Sequence, residues 1–123
     1  MSTRITERSQ KTHNALIQAL AERYEKDGYF VRADHISHPN GSPPTINGYV
    51  PDIAAYKDNT LKIIAEAETC DSISDTSTRE QWEAFAKSPY LFEIIVPKSC
   101  LEEAQRQANL WGIRVDRWWW LDI

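Results

Sequence analysis

The apolar positions between Thr12 and Asp27 predict a helix, because Leu16, Ile17, Leu20 and Tyr24 recur at helical spacing. Gly28 is placed to stop it, as glycine often does just past a helix end. Tyr29 to Ile36 is rich in β-forming residues and predicts a first strand. Ser37 to Gly48 carries Gly, Pro and Asn and predicts a long exposed loop. Tyr49–Tyr56 and Thr60–Thr69 are two further strands, joined by turn chemistry at Lys57-Asp58-Asn59. A polar loop over Cys70–Thr76 leads to a helix that runs to about Lys87. It is opened by a capping box with Ser77 as cap and Glu80 reaching back. Its apolar stripe is Trp82, Phe85 and Ala86. Tyr90–Val96 is a continuous apolar run that suits a buried central strand. A second capping box, Ser99 to Glu102, starts a helix that buries Leu101, Ala104, Ala108 and Trp111 and ends at Gly112. Ile113–Leu121 is the last strand.

The order α-β-β-β-α-β-α-β predicts one α/β domain over residues 1–123, a single mixed sheet flanked by helices. No stretch is long and apolar enough to span a membrane. The polar start, Met1 to Arg8, lacks the apolar run of a signal peptide, so a cytoplasmic location is expected. Cys70 and Cys100 lack C-x-x-C spacing and are expected as free thiols. The net charge of −4 weighs against any nucleic-acid ligand, because phosphate binding rests mostly on Lys and Arg, although a local basic face can sit on an acidic protein.

Candidate chemistry concentrates in the segment Leu61 to Thr69. Alternation along a strand puts Glu66 and Glu68 on one face, their Cα atoms roughly 6–7 Å apart. Whether Asp52 joins them depends on the turn. A two-residue turn at Asp58-Asn59 pairs Asp52 with Ala65 and aims it at the wrong face. A three-residue loop, Lys57–Asn59, pairs Asp52 with Ile64 and sets it diagonal to Glu66. The three-residue loop is the expectation here. Three crowded carboxylates repel, and a divalent cation relieves that. Mg²⁺ suits an all-oxygen site that keeps several waters. The competing expectation is a solvated acidic face.

Pro51-Asp52, thirteen residues, then Glu66-Ala67-Glu68, set on a hairpin after a helix, resembles the PD-(D/E)xK nuclease superfamily. The helix, the Gly28-Tyr29 break and Phe30-Val31-Arg32 look like archaeal Holliday junction resolvases, over about residues 12–97. The resemblance implies a restriction endonuclease-like fold and a Mg²⁺- or Mn²⁺-dependent nuclease acting on DNA. Asp52, Glu66 and the Ala67 carbonyl would then be metal ligands. Glu68 departs from the pattern, standing where Lys is usual. It implies either a general base or second-metal ligand, as in some restriction endonucleases, or a catalytically silent nuclease-fold protein that binds a protein or nucleic acid. A third reading is an unrelated α/β binding protein with exposed carboxylates.

His13 matches a helix position from which a Glu approaches the metal in resolvase-like proteins, which implies a ligand or proton carrier; a core histidine is the alternative. Gln81 and Phe85 resemble the Q-x-x-x-Y motif of exonuclease members, and Gln81 would orient a phosphate or water. Arg79 and Lys87 are candidate backbone contacts. His35 and His38 lack a completing Cys or His and are expected as loop residues. Trp118-Trp119-Trp120 puts indoles on both faces of the last strand, which suggests a homodimer interface or a stacking surface for bases.

Overall fold

The computed structural model describes residues 7–123, so the first six residues of the polar N-terminal stretch lie outside it. Its elements run α1 (Glu7–Lys26), β1 (Phe30–Ala33), β2 (Ile53–Lys57), β3 (Thr60–Ala67), α2 (Thr76–Ala86), β4 (Leu91–Pro97), a 3₁₀ turn (Lys98–Cys100), α3 (Leu101–Trp111) and β5 (Arg117–Leu121). The expected order is therefore the observed one. The five strands form one sheet in chain order. β1, β2 and β3 are an antiparallel meander, and β3, β4 and β5 run parallel through the crossovers α2 and α3.

Two cores flank the sheet. On one side Leu16, Ile17, Leu20, Ala21 and Tyr24 of α1 pack on Val31, Ala33, Ile53, Ala55, Ile63, Ala65 and Ala67. On the other, Trp82 and Phe85 of α2 and Ala104 and Ala108 of α3 pack on Ile64, Phe92, Ile94 and Val96. β4 contributes to both, as its uninterrupted apolar run requires.

The hairpin differs from expectation. Lys57 pairs with Thr60 and Tyr56 with Leu61, so the turn has two residues. Asp58 (φ 53°) and Asn59 (φ 62°) both adopt the left-handed conformation that a type I′ turn demands and that Asp and Asn tolerate. The register then shifts, because Ala55 faces Ile63. Lys62 is an extra residue in β3, a bulge. Beyond it Ala54 faces Ile64 and Ile53 faces Ala65, so the chain enters β2 with Asp52 abreast of Glu66. The three-residue loop is thus absent, but a tight turn plus a bulge restores the phase that brings Asp52 to the glutamates.

Other local expectations are also corrected. Neither helix has its capping box. Asp75 and Cys100 occupy the cap positions and make no side-chain cap bond. Ser77 lies inside α2, one residue past its start, and Ser99 lies inside the 3₁₀ turn, so neither is free to cap. The Pro-rich loop is largely exposed, as expected, and it is anchored: Asn40 Nδ2 donates to the Val31 carbonyl (2.9 Å), Ala33 N donates to Gly41 O (3.1 Å), and Asn47 Nδ2 donates to Ala84 O (2.9 Å). Cys70 and Cys100 are not free thiols but a disulfide. Parallel pairing brings the C-terminal ends of β3 and β4 together, which places the two Cα atoms 5.7 Å apart, a bridgeable distance that chain spacing conceals. No described helix is long and apolar enough to cross a membrane.

Candidate metal and catalytic site

A cleft of about 740 Å³ opens at the C-terminal end of β3, between the start of α1 and the start of α2. His13, His35, Asp52, Glu66, Ala67, Glu68 and Gln81 line it. All the residues singled out from sequence as catalytic or metal-binding therefore converge on one place.

Asp52 is the hub. It is buried, and its Oδ2 accepts a hydrogen bond from the Ala67 backbone N–H (2.9 Å). His13 Nε2, one helical turn before the buried stripe of α1, lies 3.3 Å from the same oxygen. His35 Nε2 lies 3.5 Å from Oδ1. The two imidazoles meet edge to face at 5.2 Å. His35, expected as a mere loop residue, belongs to the site. The signal that could have found it is its position just past β1, whose partner β2 begins right after Asp52. Its backbone is left-handed (φ 65°), uncommon for a residue with a Cβ and found repeatedly at functional sites.

Glu66 is 2% exposed, and its Oε1 has no hydrogen-bond partner among the described residues. A buried bare carboxylate oxygen is costly, and the Glu66 carboxyl group lies against that of Asp52. Glu68 is differently held. Its Oε1 accepts from Ser72 Oγ (2.8 Å) and its Oε2 from Trp82 Nε1 (3.3 Å). Trp82 is itself wholly buried under α2, so Glu68 is tied to the core rather than loose in the cleft. Ser72 sits in a loop braced by Thr78 Oγ1, which donates to its carbonyl (2.7 Å). Thr69 Oγ1 donates to Asp71, and Ser9 Oγ of α1 donates to the other oxygen of Asp71 (2.8 Å).

The electrostatics separate the carboxyl groups. Burial pushes Glu66 well above the ordinary range, and the charges of Asp52 and Glu68 add to that. Glu68 is pushed up to about 8, chiefly by burial, with the Ser72 hydrogen bond opposing and the charge of Asp52 assisting. Burial also works against the charge on Asp52, but the hydrogen bonds from His13 and Glu66, the charge of His13 and the Ala67 N–H together hold its pKa below normal. Burial depresses His13, but its hydrogen bond to Asp52 and the charges of Asp52 and Glu68 outweigh that and raise it. The surroundings thus favour the charged forms of Asp52 and His13 and the neutral forms of Glu66 and Glu68.

Among the described residues, no group of three or more His, Cys, Asp or Glu side chains forms a ready metal shell. The oxygens of Glu68 are turned to Ser72 and Trp82, and Asp52 is turned to Ala67 and the two imidazoles. What fits a cation is a smaller set: Asp52, the bare oxygen of Glu66 and the neighbouring Ala67 carbonyl. A hard cation that retains most of its waters needs no more than that.

The remaining candidates divide. Gln81 is half-buried on the cleft wall. Phe85 is fully buried in the second core and does not reach the site. Arg79 pairs with Glu83 (3.3 Å) and lies over Trp111, away from the carboxylates. Lys87 is exposed at the far end of α2. His38 reaches Glu25 instead (3.4 Å). Lys62, in the bulge, is exposed.

The fold and site define an α/β chain with a buried carboxylate cluster at one end of a five-stranded mixed sheet. No protein-family model, curated protein or solved structure matches the chain.

Proposed function

We propose that this protein is a metal-dependent nuclease of restriction endonuclease-like fold that hydrolyses phosphodiester bonds in DNA. The observation that carries the reading is the buried Asp52–Glu66 pair with one bare carboxylate oxygen, set on a β-hairpin at the mouth of a large cleft. Asp52, Glu66 and the Ala67 carbonyl would hold Mg²⁺ or Mn²⁺, and His13 would fix the Asp52 carboxylate through its Nε2. A bound cation would supply activation of water and charge neutralisation at the phosphate. Glu68 stands where the superfamily pattern has Lys and, in its ionised form, would be the base that accepts the proton of the attacking water, oriented by Ser72 and Trp82. Gln81 on the facing wall orients the phosphate.

A second reading is favoured by one specific observation. Both oxygens of Glu68 are engaged by Ser72 and Trp82, as expected of a catalytically silent nuclease-fold binding module in which that carboxyl has become structural. Calorimetric titration with Mg²⁺ and Mn²⁺, and incubation with linear, single-stranded and branched DNA, separate the readings. Cleavage that disappears in Asp52→Asn and Glu66→Gln is the expected result. Metal binding without cleavage would favour the silent module, and no metal binding would end the nuclease reading.

The active unit proposed is a homodimer through β5. Among the described residues that strand pairs only with β4, and it leaves Trp120 55% exposed, near the exposed Ile123.

A further inference from the structure

A second cleft, of about 620 Å³, lies at the other end of β1 and β2 and is lined by Gly28, Phe30, Arg32, Tyr56, Lys57, Asp58 and Asn59. Phe30 and Tyr56 are cross-strand partners whose rings meet edge to face at 6.1 Å. The Phe30 side chain is 52% exposed. The Arg32 guanidinium stands 5.7 Å over the Tyr56 ring and has no carboxylate partner among the described residues. Lys57 stands over Tyr29 (4.3 Å) at the same end.

The placement relative to the first cleft follows from strand alternation. Val31, Ala33, Ile53 and Ala55 point to α1, so Phe30, Arg32 and Tyr56 point to the opposite side. Glu66 alternates with Ala65 and Ala67 and so shares that face with the aromatic pair, and Asp52 meets it at the end of the sheet, where His13 of α1 also reaches. Four residues along β2, from Tyr56 back to Asp52, separate them by roughly 13 Å. An arginine on the edge strand would by itself be a guard against unwanted strand pairing. A half-exposed phenyl ring two residues away does the reverse, and its edge-to-face partner and overlying cation are the elements of a stacking site.

We infer that this cleft binds single-stranded DNA, holding an unstacked base against Phe30 and Tyr56 and the adjoining phosphate with Arg32. Base stacking on exposed aromatics combined with an unpaired cation is the general means by which single strands are held without sequence preference. The inference rests on the nuclease reading for the identity of the ligand; the cleft itself does not depend on it. A strand so held would run along β1 toward Asp52.

Fluorescence anisotropy with labelled oligo(dT), in EDTA so that no cleavage intervenes, tests it. Wild-type protein should bind the single strand more tightly than a duplex of equal length. Phe30→Ala should weaken binding about tenfold, with Phe30→Trp restoring it. Arg32→Gln should weaken binding and reduce the salt dependence by about one counterion. Leu110→Ala, exposed and on α3, should bind as wild type. Phe30 and Arg32 are on the surface, and unchanged melting of the variants shows that any loss is not unfolding. No binding of the single strand, preference for duplex, or equal binding by wild type and Phe30→Ala would overturn the inference. The nuclease reading is judged separately, by metal titration and cleavage. Cleavage with unaltered binding in Phe30→Ala removes only the inference, whereas base binding without metal binding removes only the nuclease.

Discussion

At Glu66, Glu68 and Asp52 burial and charge pull in different directions, and the result has a pH signature. For the two glutamic acids the folded pKa lies above the unfolded one. The native state therefore holds protons that the unfolded chain has released, and their contribution is full below about pH 4.5 and is lost as pH rises, for Glu68 up to about 8. His13, raised as well, acts in the same sense, its contribution fading as pH rises past its folded value. Asp52, lowered, contributes above its unfolded pKa and loses this only in acid. Metal-free protein should accordingly lose stability between pH 5 and 8, by up to about 1.4 kcal/mol per pH unit for each retained proton. Thermal melts of wild type and Glu68→Gln across this range check it, and the variant's curve should be flatter. On the proposed metal reading a divalent cation should reverse the slope, because it would bind the ionised carboxylates. At the same scale, Ser72→Ala removes one of the two hydrogen bonds that fix Glu68. It should cost about 1–3 kcal/mol, read from denaturant midpoints.

At the scale of elements, the disulfide spans 30 residues of sequence and closes a loop containing α2 and β4. It ties the loop that carries Ser72 to the start of α3. Reduction, or Cys70→Ser, should lower stability by about 3.5 kcal/mol on the chain-entropy estimate, measured by urea unfolding with and without reductant. The elements themselves were largely legible. Periodicity in Leu16, Ile17, Leu20 and Tyr24, the apolar run of β4, and Gly112 at its left-handed cap (φ 69°) all reported what the backbone does. The cap residues and the disulfide were not legible, because each depends on which chain ends become neighbours. Glu66 and Glu68 could be placed together from alternation alone. That Asp52 lies abreast of Glu66 could not be settled, since the outcome hangs on a bulge with no marker in the residues around Lys62. His35 was missed for a related reason: its role is created by a neighbour seventeen positions further along the chain.

For the whole molecule, the arrangement of the tryptophans bears on assembly. Trp119 packs against Tyr24 and donates Nε1–H to the buried Glu93 (2.7 Å), while Trp118 packs against Trp82. Each faces a core on its own side of the sheet, so two of the three indoles serve the fold and are not available to a partner. Trp120 remains outside on the edge strand. If the protein pairs through β5, Trp120→Glu should shift sedimentation from dimer to monomer without lowering the melting temperature by more than a few degrees. Wild-type protein that sediments as a monomer at high concentration would rule the β5 dimer out.

The bulge has one more consequence, for tolerance of changes in chain length. With Lys62 removed, Tyr56–Leu61 and Ala55–Ile63 become successive rungs of an unbroken ladder, the two-residue turn is untouched, and Asp52 stays abreast of Glu66. A deletion inside a central strand should here be nearly silent for metal binding. The same one-residue deletion on the opposing strand, at Ala54, would put Asp52 on the wrong side of the sheet and erase the site without altering any of its functional groups.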